Sequence, residues 1–135
     1  MISARLEDDD EVLLRQIHPT FLVDGHLASS PFVPSPKDQN QLSVDRSSMT
    51  SAAASYDLYR GNCHQSIAVY GVTVGEFGVE GLACHPDPLS ATDTQRANPG
   101  HAFADYSAVG SNQGKKIAKR LRNVAVKRGR LHPSA

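Results

Sequence analysis

The segment from Gln65 to Val74, QSIAVYGVTV, constrains the fold more than any other stretch of the chain. A nearly unbroken run of β-branched and apolar residues is suited to a strand covered on both faces, so it predicts a central strand of a layered sheet. Partners for it can be read nearby. Residues 20–23 and 26–29 flank Asp24-Gly25, a pair that supports the positive φ angles of a two-residue hairpin turn and sets Leu22 opposite Leu27. Residues 41–44 and 101–106 supply two more strands. The prolines of Pro31 to Asp38 cannot donate to a ladder and mark an edge or an extended loop.

Three segments carry helical signals. Over residues 7–17, acids in the first turn would complement the positive helix end, and Leu13 and Ile17 are spaced i and i+4. His18-Pro19 would stop that helix. Residues 50–60, opened by Thr50 or Ser51 as N-cap, form a second, ending near Gly61-Asn62. Residues 115–127 form the third, with Ile117, Leu121 and Val124 on one stripe for docking. Glycines 71, 75, 78 and 81 predict a loosened backbone after the 65–74 strand, and the polar stretch from Cys84 to Gly100 reads as a long loop, functional or mobile. The expected architecture is α+β: a small antiparallel or mixed sheet with an N-terminal hairpin, covered by a C-terminal amphipathic basic helix. At 135 residues the chain suits one core. We expect a single domain over 1–135, with an acidic, mobile start at 1–10 and a mobile tail at 129–135.

The formal net charge of zero conceals a separation. All fourteen acids lie at or before Asp105 with only six bases, an excess of eight negative charges. The last thirty residues carry eight bases and no acid: Lys115, Lys116, Lys119, Arg120, Arg122, Lys127, Arg128 and Arg130. Such asymmetry points to an acidic protein face or to nucleic-acid phosphates. The competing reading is intramolecular, with the basic helix lying against the acidic body of its own chain, in particular Glu7 to Glu11. Tyr106 is the nearest aromatic residue, so contact with nucleic acid would be to phosphates rather than by base stacking.

Several function classes are excluded or disfavoured. No apolar run reaches the roughly 18 residues of a membrane span, and the acidic start is unlike a secretory signal. A cytoplasmic protein without a membrane association is expected. Gly75 to Gly81 lacks the G-x-G-x-x-G spacing, and its two carboxylates would repel a pyrophosphate. Walker, G-x-S-x-G and H-E-x-x-H motifs are absent from the sequence, and no cofactor is called for.

The ordered phrases Arg15-Gln-Ile-His18-Pro19, Ser30-Pro-Phe32-Val-Pro34, Lys37-Asp38, Leu42-Ser43-Val44, Val72 to Glu76, Gly81-Leu82 and His101-Ala102 resemble a pattern in small uncharacterised bacterial proteins with no attached activity. The resemblance spans about residues 13 to 125. It implies a bacterial origin and a compact domain, and it suggests an accessory role beside larger effectors in mobile or defence loci. It transfers no catalytic residue.

Two constellations remain as chemical candidates. Cys63-His64 and Cys84-His85 offer two thiols and two imidazoles, but adjacent residues on an extended strand point to opposite faces, which suits a tetrahedral zinc site poorly. No metal is therefore expected. His101 and Asp105 share a strand face about 13 Å apart, too far for a dyad. An enzyme, such as a small transferase or nuclease-like toxin, would instead have to assemble His18, Lys37 and His101, with Ser29, Ser30, Glu76 and Arg15 as further candidates. The favoured expectation is an accessory or interaction protein that binds through the basic helix residues Lys115, Lys116, Lys119, Arg120, Arg122, Lys127 and Arg128. Its oligomeric state is left open.

Overall fold

A computed structural model describes residues 4–35 and 39–133 of the chain. Its elements in order are β1 (Val12–Ile17), β2 (Leu22–Val23), β3 (His26–Leu27), β4 (Gln41–Arg46), α1 (Ala52–Gly61), β5 (Ala68–Thr73), α2 (Val74–Val79), β6 (Cys84–Pro86), β7 (His101–Asp105) and α3 (Ser111–Arg128). The α+β class is as expected. Its main sheet is wholly antiparallel, in the order β5-β1-β4-β7-β6.

The segment expected to be a helix over 7–17 is instead strand β1, which lies between β5 and β4. The i, i+4 spacing of Leu13 and Ile17 also places residues on one face of a strand, because four is a multiple of two. Both side chains are fully buried in the core. Leu14 is buried as well, and burial on both faces is incompatible with the single stripe of a surface helix. The acids before β1 form a turn in which Glu11 N donates to the Asp8 carbonyl at 3.0 Å.

The segment expected to be central, β5, is an edge strand of the five-stranded sheet. It is nevertheless covered on three sides. Leu13 and Val72 pair across β1 and β5 and face the core, whereas Val69 lies on the other face, towards α1. Its open edge is met by the chain beyond α3. Val69 N donates to His132 O, and Leu131 N donates to Val69 O, each at 2.8 Å. A Cβ at Gly71 would lie 2.6 Å from Val12 Cγ1 and 2.8 Å from Leu131 Cδ1, so the close approach of both neighbours requires glycine.

The Asp24-Gly25 hairpin forms as expected, with φ of 52° and 79° and Leu22 paired to Leu27. It is, however, a separate two-stranded sheet rather than part of the main one. A short 3-10 turn at Pro19–Phe21 redirects the chain between β1 and the hairpin. The glycine-bearing segment after β5 also differs from expectation: it folds into α2. Thr73 and Glu76 form a reciprocal capping box, with Thr73 N donating to Glu76 Oε1 at 2.8 Å and Glu76 N donating to Thr73 Oγ1 at 3.1 Å. Those two end bonds, with burial of Val74 and Phe77, offset the helix-weakening effect of Gly75 and Gly78.

One face of the sheet forms the core. Leu13, Ile17, Leu42, Val44, Ala68, Val72, Ala102 and Ala104 pack with Phe32, Phe77 and the inner residues of α3. In α3 those residues are Gly114, Ile117, Ala118, Leu121 and Ala125, while Val124 is only half-buried. The opposite face is covered only partly, by α1 and the excursion between β6 and β7. That leaves a cleft.

Candidate functional site

The basic helix separates into two sets of cations. Its arginines are tied to the body of the protein. Arg128 makes a bidentate pair with Glu76, both bonds at 2.8 Å, and also donates to Gly71 O at 2.9 Å. Arg120 Nε donates to Glu80 Oε1 at 2.8 Å, and Arg122 Nη1 reaches Leu27 O at 3.3 Å. Burial opposes ionisation of Glu76, but its hydrogen bonds to Arg128 and Thr73 outweigh that and hold its carboxyl below the ordinary value. The internal acids that meet the helix are therefore Glu76 and Glu80. They are not the run from Glu7 to Glu11, whose last member is bound to Arg46 by bonds of 3.0 Å.

The lysines differ. Lys115, Lys116, Lys119 and Lys127 are exposed and have no hydrogen-bond or acidic partner among the described residues. Lys116, Lys119, Asn123 and Lys127 follow a spacing of i, i+3, i+7 and i+11, a stripe roughly 16 Å long on the outer face of α3. Near its C-terminal end lies a shallow depression lined by His26, Leu27, Tyr70, Arg122, Val126 and Lys127. Val126 is 49% exposed there. Tyr106 is buried and donates its hydroxyl to Phe32 O at 2.6 Å, so it offers this surface no ring.

The enzyme trio does not assemble among the described residues. His18 accepts a bond from Thr20 N at 3.1 Å and caps the 3-10 turn. His101 is level with Asp45 and Leu14 across the sheet, whereas His18 lies four residues further along β1. That is about 13 Å along the strand, plus about 10 Å across two strand spacings. Lys37 lies outside the described residues. Ser29 and Ser30 stand at the 3-10 turn that leads into Phe32, and Glu76 is bound to Arg128. Arg15 donates to the carbonyls of Pro31 at 2.7 Å and Ser43 at 2.9 Å, where the β1–β4 ladder stops.

The two Cys-His dipeptides are likewise dispersed. Cys63 is exposed after α1, and His64 stacks on Tyr59 with ring centroids 4.7 Å apart. Cys84 is buried in β6, while His85 lies beside Phe103. Burial pushes the Cys84 thiol up to about 12, against an opposing influence from Arg5. Among the described residues no group of three or more His, Cys, Asp or Glu side chains is placed to hold a metal.

The structure adds residues that the sequence did not single out. Asp45, buried in β4, accepts from Ser55 Oγ at 2.5 Å and Asn98 Nδ2 at 2.8 Å. Ser55 also accepts from Gln16 Nε2 at 2.8 Å, and Gln16 Oε1 accepts from Ser66 Oγ at the same distance. This chain joins α1, β1, β4 and the excursion before β7 into one polar layer. His101 beside it binds Asp87, with Nδ1 2.9 Å from the backbone oxygen and 3.2 Å from Oδ2. No local spacing announces these pairs, because their members are 10 to 53 residues apart and meet only when the sheet registers.

No protein-family model, curated protein or solved structure matches the chain. No helix among the described residues is long and apolar enough to cross a membrane.

Proposed function

We propose that this chain is a small bacterial accessory or interaction protein that engages an acidic face of a partner protein through α3. The observation that carries the reading is the division of labour on that helix. Arginines hold it to the body, and four lysines project from it without internal partners among the described residues. Anchoring limits the ordering cost of binding, because the helix that carries the stripe is already fixed. The exposed Val126 beside Lys127 favours a protein over a nucleic-acid backbone, since a phosphate surface has no use for an apolar contact while an acidic peptide with apolar side chains does. Charge steers the encounter, and the apolar contact adds persistence.

The test compares the wild type with a Lys115→Glu, Lys116→Glu, Lys119→Glu variant. Arg122 is left intact because reversing it would disturb its contact with Leu27. Binding to a Glu-rich, Leu-containing peptide and to a DNA duplex is measured at two salt concentrations, with melting temperature as the control. The expected result is peptide binding that weakens with salt and is lost in the variant at unchanged melting temperature. Equal binding by both proteins, or tighter binding to the duplex than to the peptide, would sink the proposal.

A further inference from the structure

We infer that the cleft on the sheet face opposite α3 is a binding site for a small phosphomonoester that carries a flat ring. Its floor is a row of neighbouring strand residues, Leu14, Asp45 and His101, aligned by the registers of β1, β4 and β7. One wall comes from α1 and the turn after it, with Tyr59 and His64; the other comes from the excursion before β7, with Leu89 and Arg96. The volume is about 370 Å³, within the range of small-molecule pockets.

The walls are locked together before any ligand arrives. Arg96 N donates to Asn62 Oδ1 at 2.8 Å and Gln95 Nε2 to Asn62 O at 3.2 Å, joining the excursion to α1. Asn98 joins it to Asp45, and a pair of backbone bonds between Leu89 and Asn98, 2.9 and 2.8 Å, closes its base. Both Asp45 oxygens are engaged by those contacts, so the floor carboxylate serves the scaffold.

His101 supplies the chemical handle. Its Nδ1 faces a carbonyl oxygen and a carboxylate oxygen of Asp87, both acceptors, so Nδ1 must carry a hydrogen. In the neutral ring Nε2 is then a bare acceptor. Nε2 has no partner among the described residues, and it is not a buried unpartnered atom, since Arg122 Nε alone has that status there. It is therefore accessible, and His101 is one of the residues that line the cleft.

Three features select the ligand. The Arg96 guanidinium has no acidic partner among the described residues and stands over Gly61, where a Cβ would lie 2.9 Å from Nη1. It offers an oxyanion its forked donors. The stacked rings of Tyr59 and His64 offer a flat surface, continued by the apolar Leu58 and Leu89. Nε2 discriminates between oxyanions. A carboxylate spends both of its oxygens on the guanidinium fork, whereas a phosphomonoester has a third terminal oxygen left to share a proton with Nε2.

The experiment is a ¹H–¹⁵N NMR titration of the full chain with phenyl phosphate, alongside benzoate and inorganic phosphate. The expected result is saturable shifts at Asn62, His64, Gln95, Arg96, Asn98 and His101. Affinity should fall at least tenfold for benzoate, for inorganic phosphate and in Arg96→Ala, an exposed position whose replacement leaves the core alone. The Lys115→Glu, Lys116→Glu, Lys119→Glu variant should bind phenyl phosphate as the wild type does, which separates this site from the function proposed for α3. No saturation at millimolar ligand, unchanged affinity in Arg96→Ala, benzoate binding as tight as phenyl phosphate, or shifts centred on α3 would each overturn the inference.

Discussion

Leu131 donates its backbone N–H to the carbonyl of Val69 at 2.8 Å, and through that contact the chain beyond the last helix closes the edge of the main sheet. An uncovered, apolar edge strand is a template for pairing with other chains. Ending the chain at Arg130 should therefore lower stability by about 1 to 3 kcal/mol, through two lost hydrogen bonds and the contact of Leu131 over Gly71. It should also raise self-association. Melting temperature and sedimentation of the shortened chain check both parts, and a stable monomer would show that the edge needs no cover.

The ion pair of Glu11 and Arg46 makes stability sensitive to acid. Burial of Glu11 works against its charge, but hydrogen bonds from Arg46 and Ser48 prevail, so its pKa is lowered from 4.5, as is that of Glu76. Lowered carboxyl values mean that the unfolded chain binds more protons in acid. The stabilisation is therefore present above about pH 4.5 and is lost as the pH falls through the folded values. The Glu11 side chain is only 4% exposed, against 29% for Glu76. Glu11→Gln should cost about 3 kcal/mol at pH 7 and Glu76→Gln about 1 kcal/mol or less. Denaturant unfolding at pH 7 and pH 3 reads this directly, and the Glu11→Gln penalty should shrink at the lower pH.

The two cysteines should react differently. Cys63 is exposed, while Cys84 is buried and its thiol is pushed up to about 12. Thiolate is the reactive form, so alkylation of the native protein at pH 8 should modify Cys63 and spare Cys84. Both should react in denaturant. Mass mapping of the modified peptides checks the order, and equal labelling of the two would contradict the packing of β6.

The hairpin turn makes a backbone demand that can be tested alone. Gly25 has φ of 79° with open space around its Cα, so Gly25→Val introduces strain without a clash. The expected cost is about 1 to 2 kcal/mol. Gly25→Asn should cost less, because asparagine tolerates positive φ. Chemical denaturation of both variants separates backbone strain from loss of space.

Much of the local structure was legible because its causes are local. Asp24-Gly25 specified its turn, Ser51 its cap on α1, and the apolar spacing of Ile117 and Leu121 the docked face of α3. The capping box from Thr73 to Glu76 was equally present in the sequence, although the glycines within it suggested a loop. Strand β1 was ambiguous, since Leu13 and Ile17 fit either period until their neighbours are known.

What the amino-acid order determined by itself was therefore the composition of the pieces: turn, caps, an apolar strand and a helix rich in lysine and arginine. Only the tertiary structure decided that β5 is an edge closed by Leu131 and His132, that Glu76 and Glu80 rather than the acidic run receive Arg128 and Arg120 of α3, and that His101 meets Asp87 beside Asp45. The reason is physical. Turns and caps are set by dihedral angles and hydrogen bonds within a few residues, whereas a cleft is made by side chains far apart in sequence, whose meeting depends on strand order and register.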